Sequence, residues 1–317
     1  MSKSINTVND LFEAQRAPLK LQWLAGFAGK DRELEPASAK FPGMALVGHL
    51  NYVHPNRVQV LGSAEIAYLQ RHQRGEEQHM GVHDLCATPT SAVIIVANGE
   101  TPPADLIAAA DGCGLALFTT PLPSPRVIDD LQFFLTRALA ARVTLHGVFM
   151  EVMSMGVFIT GESGIGKSEL ALELLSRNHR LIADDACEFA RVGPDIIEGR
   201  CPETLCDFLE VRGLGILNVR AMFGQTAVRQ VKQLHLIVCL EELTPEGKPK
   251  IDRLQAEQKV RDILGVDVAE VVLYVAPGRN LAVLVEAATR THILRLRGIN
   301  PLDEFLKIHQ AVMAKGT

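Results

Sequence analysis

The sequence predicts an α/β chain of two domains, and three observations carry that expectation. Short β-branched runs alternate with helical patterns in the first part of the chain. In the second part a glycine-rich loop stands between an apolar run and a helix-forming run. The composition, 47% hydrophobic and 22% charged over 317 residues, supplies enough apolar material for real cores. The formal net charge of −5 gives no basic footprint for nucleic acid. No stretch approaches the roughly 18 uncharged apolar residues of a membrane span, and the N-terminus lacks the charged-then-apolar order of a signal peptide. The six cysteines contain no Cys-x-x-Cys pair, which reads as reduced thiols in a cytoplasmic protein.

The N-terminal part, residues 1–135, reads as the smaller α/β domain. Val58–Leu61 is a short apolar strand and 63–70 a helix. The run SAVIIVA at 91–97 is a buried strand by its β-branched content. Pro102 and Pro103 open a helix over 104–111, with Gly112 expected to close it, and 115–119 is the next strand. This β-α-β order marks an α/β domain. Residues 126–139 follow as an amphipathic helix, with Val127, Leu131, Phe134, Leu135 and Ala138 at helical spacing. The domain boundary is placed near residue 135, and 136–317 forms the second domain.

In that second domain, 143–152 reads as a strand or hairpin arm, 156–160 as a compact strand and Lys167–Ser176 as a helix. Further strands are expected at 181–183, 234–240 and 270–275. A last helix is capped by Asn300 with Pro301 at its first position, and Leu302, Phe305, Leu306, His309 and Met313 give it one apolar face.

Between the strand at 156–160 and the helix at Lys167 lies Gly161-Glu162-Ser163-Gly164-Ile165-Gly166-Lys167-Ser168, a full match to G-x-x-x-x-G-K-[ST]. Glycines let the backbone curl so that successive N–H groups point at phosphate oxygens, and the helix adds the positive end of its dipole. Lys167 is expected to reach the β and γ phosphates of a nucleotide and the Ser168 hydroxyl to ligate Mg²⁺. Such loops work with an acid at the end of a neighbouring strand. Asp184-Asp185 after 181–183 is the stronger candidate, because this strand directly follows the loop's helix; Glu241-Glu242 after 234–240 is the other. Adjacent carboxylates on extended backbone point different ways, so the two aspartates need not share a role.

Other segments join this set: His146-Gly147 ahead of the loop strand, the run 210–218 (EVRGLGILN), Asp252-Arg253-Leu254, and Pro277-Gly278-Arg279-Asn280. Together with GESGIGKS and the Asp-Asp pair, the chain closely resembles HPr kinase/phosphorylase, the bacterial enzyme that phosphorylates a seryl hydroxyl of HPr, the phosphocarrier of the sugar phosphotransferase system. The likeness extends into the first domain through 55–62 and 102–135, so it spans nearly the whole chain. It implies a P-loop kinase/phosphorylase domain preceded by a smaller α/β domain. It implies that residues 161–168 bind ATP, or pyrophosphate in its place, and that Ser168 and Glu210 ligate Mg²⁺. Asp185 would take the proton from the target serine, and in the reverse direction protonate the leaving seryl oxygen as inorganic phosphate attacks phosphoserine. His146, Lys167 and Arg253 would complete the site, with Arg253 stabilising charge on the transferring group. Residues 209–218 would serve both reactions and 275–280 chiefly the phosphorolysis. The resemblance also implies a homohexamer with HPr as protein substrate. One departure stands out: where the family commonly has an arginine before Pro-Gly-Arg-Asn, this chain has Ala276, one cation fewer in the segment tied to phosphorolysis.

Two other readings compete, a small-molecule kinase with the same loop and a nucleotide-dependent switch without transfer. No Asn-Lys-x-Asp base-reading motif is present, which disfavours a GTPase switch. A small-molecule kinase has no need of the run 210–218 or of a separate N-terminal domain. His79-x-x-x-His83 with Cys86 has metal-like spacing, but Gly81 interrupts it and no fourth ligand is evident, so it is not read as a zinc site. Cys201-x4-Cys206 reads as two thiols and 241–259 as a solvated loop.

Overall fold

The structure is a computed structural model that describes residues 5–34, 46–51, 56–72, 91–202, 206–242, 259–300 and 304–305. The chain divides into two compact units, Met1–Ala140 and Ala141–Thr317.

The first unit is built on a five-stranded sheet. Its elements are α1 (Val8–Gln15), β1 (Gln22–Ala25), β2 (Val47–His49), β3 (Val58–Leu61), α2 (Ser63–His72), β4 (Val93–Val96), α3 (Ala104–Cys113), β5 (Ala116–Thr119) and α4 (Ser124–Ala138). The strand order is β1-β5-β4-β3-β2, with β2 to β5 parallel and β1 antiparallel at the edge. Strands β3 and β4 are buried throughout, which is why they read as continuous apolar runs rather than alternating ones. Alternate residues feed two cores. Val58, Val60, Val93, Ile95 and Phe118 pack with Leu11 of α1 and Val127, Leu131 and Leu135 of α4. Leu61, Ile94, Val96 and Leu117 pack on the other face with Ile66 of α2 and Leu106 of α3. Each such side chain contributes roughly 1.5–3 kcal/mol by leaving water. The expected closure of the third helix at Gly112 is corrected: α3 runs on to Cys113, and Gly114 ends it at φ +58°, its N–H donating to the Ala110 and Asp111 carbonyls. Only a left-handed residue can make that turn cheaply, and Gly112 is an ordinary helical position.

The second unit contains β6 (Arg142–His146), β7 (Val148–Val152), β8 (Met155–Gly161), α5 (Lys167–Ser176), β9 (Arg180–Ala183), β10 (Ala186–Gly193), β11 (Ile196–Arg200), β12 (Phe208–Val211), β13 (Gly215–Asn218), α6 (Val219–Phe223), β14 (Val231–Glu242), β15 (Lys259–Ile263), β16 (Val266–Val275) and α7 (Leu281–Leu296). A nine-stranded sheet runs β6-β10-β11-β14-β8-β7-β9, with β16 also on β14 and β15 on β16; β12 and β13 form a separate hairpin. The stretch 143–152, expected as one strand or arm, is two strands with different partners: β6 pairs with β10, while β7 lies between β8 and β9. The break is at Gly147, where a Cβ would lie 2.5 Å from the Ile159 carbonyl oxygen.

Alternation along β7 and β8 again makes two cores. Val148, Met150, Val157 and Ile159 face Leu170 and Leu174 of α5 and Val285 of α7. Phe149 and Phe158 face the other way and meet Phe189 of β10 edge-on, at 5.2 and 4.9 Å between ring centres. Glu151, buried on β7, is held at 3.1 Å by each of Arg180, Arg229 and Lys232, so its charge is compensated where β7, β9 and β14 come together. The hairpin β10–β11 and the helix α7 went unassigned in the sequence. The predicted C-terminal helix lies outside the described residues except for Glu304 and Phe305, which are helical. Among the described residues no helix is long and apolar enough to cross a membrane.

Candidate active site

The loop after β8 has the geometry its glycines require. Gly164 and Gly166 sit at φ +83° and +99°, where a side chain would strain the backbone, and Gly166 is the N-cap of α5. Ile165 turns its side chain into the core, so only its backbone remains to the loop. Lys167 folds back over the loop, donating to the carbonyl oxygens of Gly161 at 2.9 Å and Glu162 at 2.8 Å. Its ammonium is therefore held at the loop by two carbonyl oxygens, and the N-terminus of α5 adds the positive end of its dipole to the same region.

Opposite the loop, Asp184 and Asp185 follow directly on β9. The Ala186 N–H donates to the Asp184 carbonyl oxygen at 2.8 Å, a bond across two residues with Asp185 at φ +64° between them. That is a γ-turn in its strained hand. The turn splits the two carboxylates. Asp184 is 8% exposed, and its Oδ2 accepts from the Glu210 N–H at 2.9 Å. Asp185 projects outward, 79% exposed, with Oδ1 3.8 Å from His146 Nδ1. His146 Nδ1 is also 3.2 Å from the Asp185 carbonyl oxygen, and the Gly147 N–H donates to that same oxygen at 3.2 Å. The antiparallel register that places Ala186 opposite His146 thus fixes the histidine beside Asp185.

The hairpin β12–β13 supplies the third wall. Leu209 and Val211 are buried in the core that α5 shares, and Glu210 between them points out. Arg212, in the turn, brings its Nη1 within 3.6 Å of where a Cβ on Gly164 would stand. One open cleft of about 570 Å³ is lined by His146, Gly161, Ser163, Gly164, Gly166, Lys167, Ser168, Asp184, Asp185, Glu210 and Arg212, with Gly147 and Glu169. Most of the expected site residues therefore converge. Glu162 contributes the carbonyl that holds Lys167, and Arg253 lies outside the described residues. Arg212 was missed as an individual residue, although it stands inside the singled-out run 210–218 and is the only cation in it.

The expectation that the acid pair ends a strand neighbouring the loop strand is corrected. The parallel neighbour of β8 is β14, and β7 separates β8 from β9. Glu241 and Glu242, at the end of β14, are not among the residues lining the cleft, whereas Asp184 and Asp185 reach it. Burial raises the Asp184 carboxyl above its ordinary range, partly opposed by the N–H groups of Glu210 and Asp185, with the Asp185 and Glu210 charges adding to the rise. A raised carboxyl favours the fold below its unfolded pKa, and that contribution is lost as pH climbs through the folded value. Substituting Asp184→Asn removes this dependence. The melting temperature of D184N relative to the unaltered protein is expected to shift upward as pH rises from acidic to neutral; a constant difference across thermal melts would contradict it.

A phosphate loop on a helix N-terminus, carrying Lys167 and faced by carboxylates and Arg212 in an open cleft, defines a P-loop phosphotransferase domain. Comparison with known proteins agrees. The family model for the HPr Serine kinase C-terminal domain matches residues 137–309, and that for the HPr Serine kinase N terminus matches residues 6–135. The chain is 48% identical over 310 residues to the HPr kinase/phosphorylase of Ralstonia nicotianae, covering 97% of this chain and 94% of that protein. It is 48% identical over 323 residues to the HPr kinase/phosphorylase of Stenotrophomonas maltophilia strain K279a, covering 100% of both. A solved structure, the Hpr(Ser) kinase/phosphatase from Coxiella burnetii, is 35% identical with a TM-score of 0.46, covering 53% of this chain and 98% of that one. The chain belongs to the HPr kinase/phosphorylase family.

Proposed function

We propose that this protein transfers a phosphoryl group from ATP or pyrophosphate to a seryl hydroxyl of HPr, and that it catalyses the phosphorolysis of phosphoserine-HPr by inorganic phosphate. The observation that carries this reading is the convergence of His146, Lys167, Ser168, Asp185 and Glu210 on one cleft at the N-terminus of α5. The loop N–H groups and Lys167 would hold the donor's phosphates, and Arg212, leaning over Gly164, would add a second cation there. Asp185 would accept the seryl proton. Its carboxylate points outward, and His146 stands beside it with Nδ1 3.8 Å from Oδ1. In the reverse direction the same carboxyl returns the proton to the leaving seryl oxygen.

The donors Ser168 and Glu210 fit Mg²⁺, a hard cation that takes one or two protein oxygens together with phosphates and water. When bound, the ion would neutralise charge on the transferring phosphates. Arg253 is carried over as the remaining cation of the site. A homohexamer is part of the same reading and is checked by light scattering. We place the activity in the cytoplasm, in keeping with the free thiols of Cys113, Cys187, Cys201, Cys206 and Cys239.

The test uses two samples of the purified protein, one given HPr, ATP and Mg²⁺ and the other phosphoserine-HPr and inorganic phosphate. Serine phosphorylation in the first and pyrophosphate release in the second are expected. Phosphorylation without pyrophosphate release would leave a kinase and assign the loss to the segment around Ala276. In that segment Asn280 is already committed to structure: it caps α7 by accepting from the Val283 N–H at 2.9 Å and donates to Glu173 at 2.8 Å. Silence in both samples, with ATP still bound, would return the protein to a small-molecule kinase or a nucleotide switch.

A further inference from the structure

Cys201 and Cys206 stand between β11 and β12, and the fold brings them together. The Cys206 thiol donates to the Pro202 carbonyl oxygen at 3.2 Å and lies 3.8 Å from the Cys201 carbonyl oxygen. Burial, and then the neighbouring Cys206 thiol, push the Cys201 thiol above its ordinary range, with the Asp207 and Asp184 charges adding to the rise. The two sulfurs differ in access. Cys201 belongs to the core that holds Phe149 and Phe189, whereas Cys206 is half-buried. Both line a cavity of about 200 Å³ that shares no residue with the phosphate cleft. Arg220 lines it too. Its guanidinium is raised first by Asp207 and then by Cys206, so a cation stands near enough to feel charge on that sulfur. A partly exposed thiol beside a cation, with a second thiol behind it, is the arrangement that thiol–disulfide exchange uses.

We propose that Cys201 and Cys206 form a reversible modification site, in which an oxidised low-molecular-weight disulfide closes a bond between them and the closed form slows phosphoryl transfer. The second half rests on the reading of Glu210 as a Mg²⁺ ligand. Cys206, as thiolate, attacks one sulfur of the small disulfide and expels the other as a thiolate, leaving a mixed disulfide. The Cys201 sulfur then attacks Cys206, gives up its proton, and expels the second small thiol. Two protein thiols are oxidised and one small disulfide is reduced to two thiols. The link to the cleft is the start of the hairpin. Asp207, next to Cys206, accepts the Val219 N–H on its carbonyl at 2.9 Å and Arg220 Nε on its carboxylate at 2.6 Å. Further along β12 the Glu210 N–H is held by Asp184, which lies close enough to Cys201 to act on its thiol. A bond between the sulfurs takes Cys206 from its carbonyl partners and pulls on the anchor of the strand that carries Glu210.

The experiment exposes the reduced protein to oxidised glutathione, blocks the remaining thiols and cuts the chain with trypsin. Residues 201–212 leave as one peptide that carries both cysteines. That peptide is expected to lose two hydrogens and to take no blocking group. In the same sample HPr phosphorylation is expected to fall about ten- to a hundred-fold, the scale of a displaced site residue, with a higher Mg²⁺ requirement. Dithiothreitol should restore both. C206S is expected to keep its starting rate throughout, and C201S to stop at glutathione on Cys206. Two blocked thiols in the peptide after excess oxidised glutathione would overturn the proposal. So would glutathione left on Cys206 of the unaltered protein without a bond to Cys201. A closed bond with rate and Mg²⁺ requirement unchanged would overturn the coupling to the cleft. Absence of transfer by the reduced protein would overturn the functional reading and that coupling, while the peptide mass judges the disulfide independently.

Discussion

Replacing Asp185 by asparagine is expected to slow both serine phosphorylation and phosphorolysis by about 10²–10⁴-fold, the range that a positioned general base or acid contributes. Asparagine matches aspartate in shape and changes only the carboxylate to an amide, so the turn at φ +64° should persist. Nucleotide affinity should be retained, because the phosphates are held by the loop on the other side of the cleft. A second substitution separates chemistry from structure. Asp185→Gly relieves a strained non-glycine position whose cost is about 1–3 kcal/mol. The glycine variant should therefore melt no lower than the unaltered protein while being as inactive as D185N. Transfer rates in both directions, with ATP titration and thermal melts, check all of this. Activity within ten-fold of the starting value in D185N would remove Asp185 as the proton-transferring group. A lower melting temperature in D185G would remove the strain argument.

Lys167→Ala is expected to lose about 10²–10³-fold in turnover at saturating ATP, the scale measured for deleting one donor aimed at developing charge. The fold should be nearly untouched. The lysine's two bonds go to the carbonyl oxygens of Gly161 and Glu162 at the edge of an open cleft, where water can replace the ammonium. Arginine should not restore the rate. A planar fork cannot take the place of a compact ammonium curled over its own loop. Single-turnover transfer measured beside the melting temperature distinguishes this from unfolding. A variant that turns over normally would mean that Arg212 and the helix N-terminus suffice to hold the phosphates.

The two substitutions differ in what made the residue visible beforehand. Lys167 and its loop were legible because all of their signal is local. Positive φ demands glycine at 164 and 166, the helix begins where Gly166 caps it, and the apolar run before the loop can only be a strand of that length. The buried strands β3 and β4 were legible for the same reason, as short β-branched runs between turn residues. Asp185 was singled out through resemblance, and chain order alone supported it with the wrong neighbour, since β14 and not β9 lies parallel beside β8.

Some elements gave weak local signals. Apolar and β-branched residues are spread along α7, including Val283, Val285, Thr289 and Thr291, which blurs the helical face and lowers the helix preference. The hairpin β10–β11 mixes buried and exposed positions across a Gly-Pro-Asp turn.

By itself, then, the sequence determined two α/β domains and a phosphate loop of defined register, and it named most of the residues that line the cleft beside that loop. Only the tertiary structure decided how they meet. It turned Asp184 inward to hold the Glu210 N–H and Asp185 outward toward His146, 39 residues away in the chain. It split 143–152 between two partners and swung Arg212 over Gly164. The physical reason is that a period-2 pattern tells a strand which face to bury but not which strand to pair with. That choice is made by long-range packing, here by where Gly147 allows close approach and by which edge β7 finds between β8 and β9.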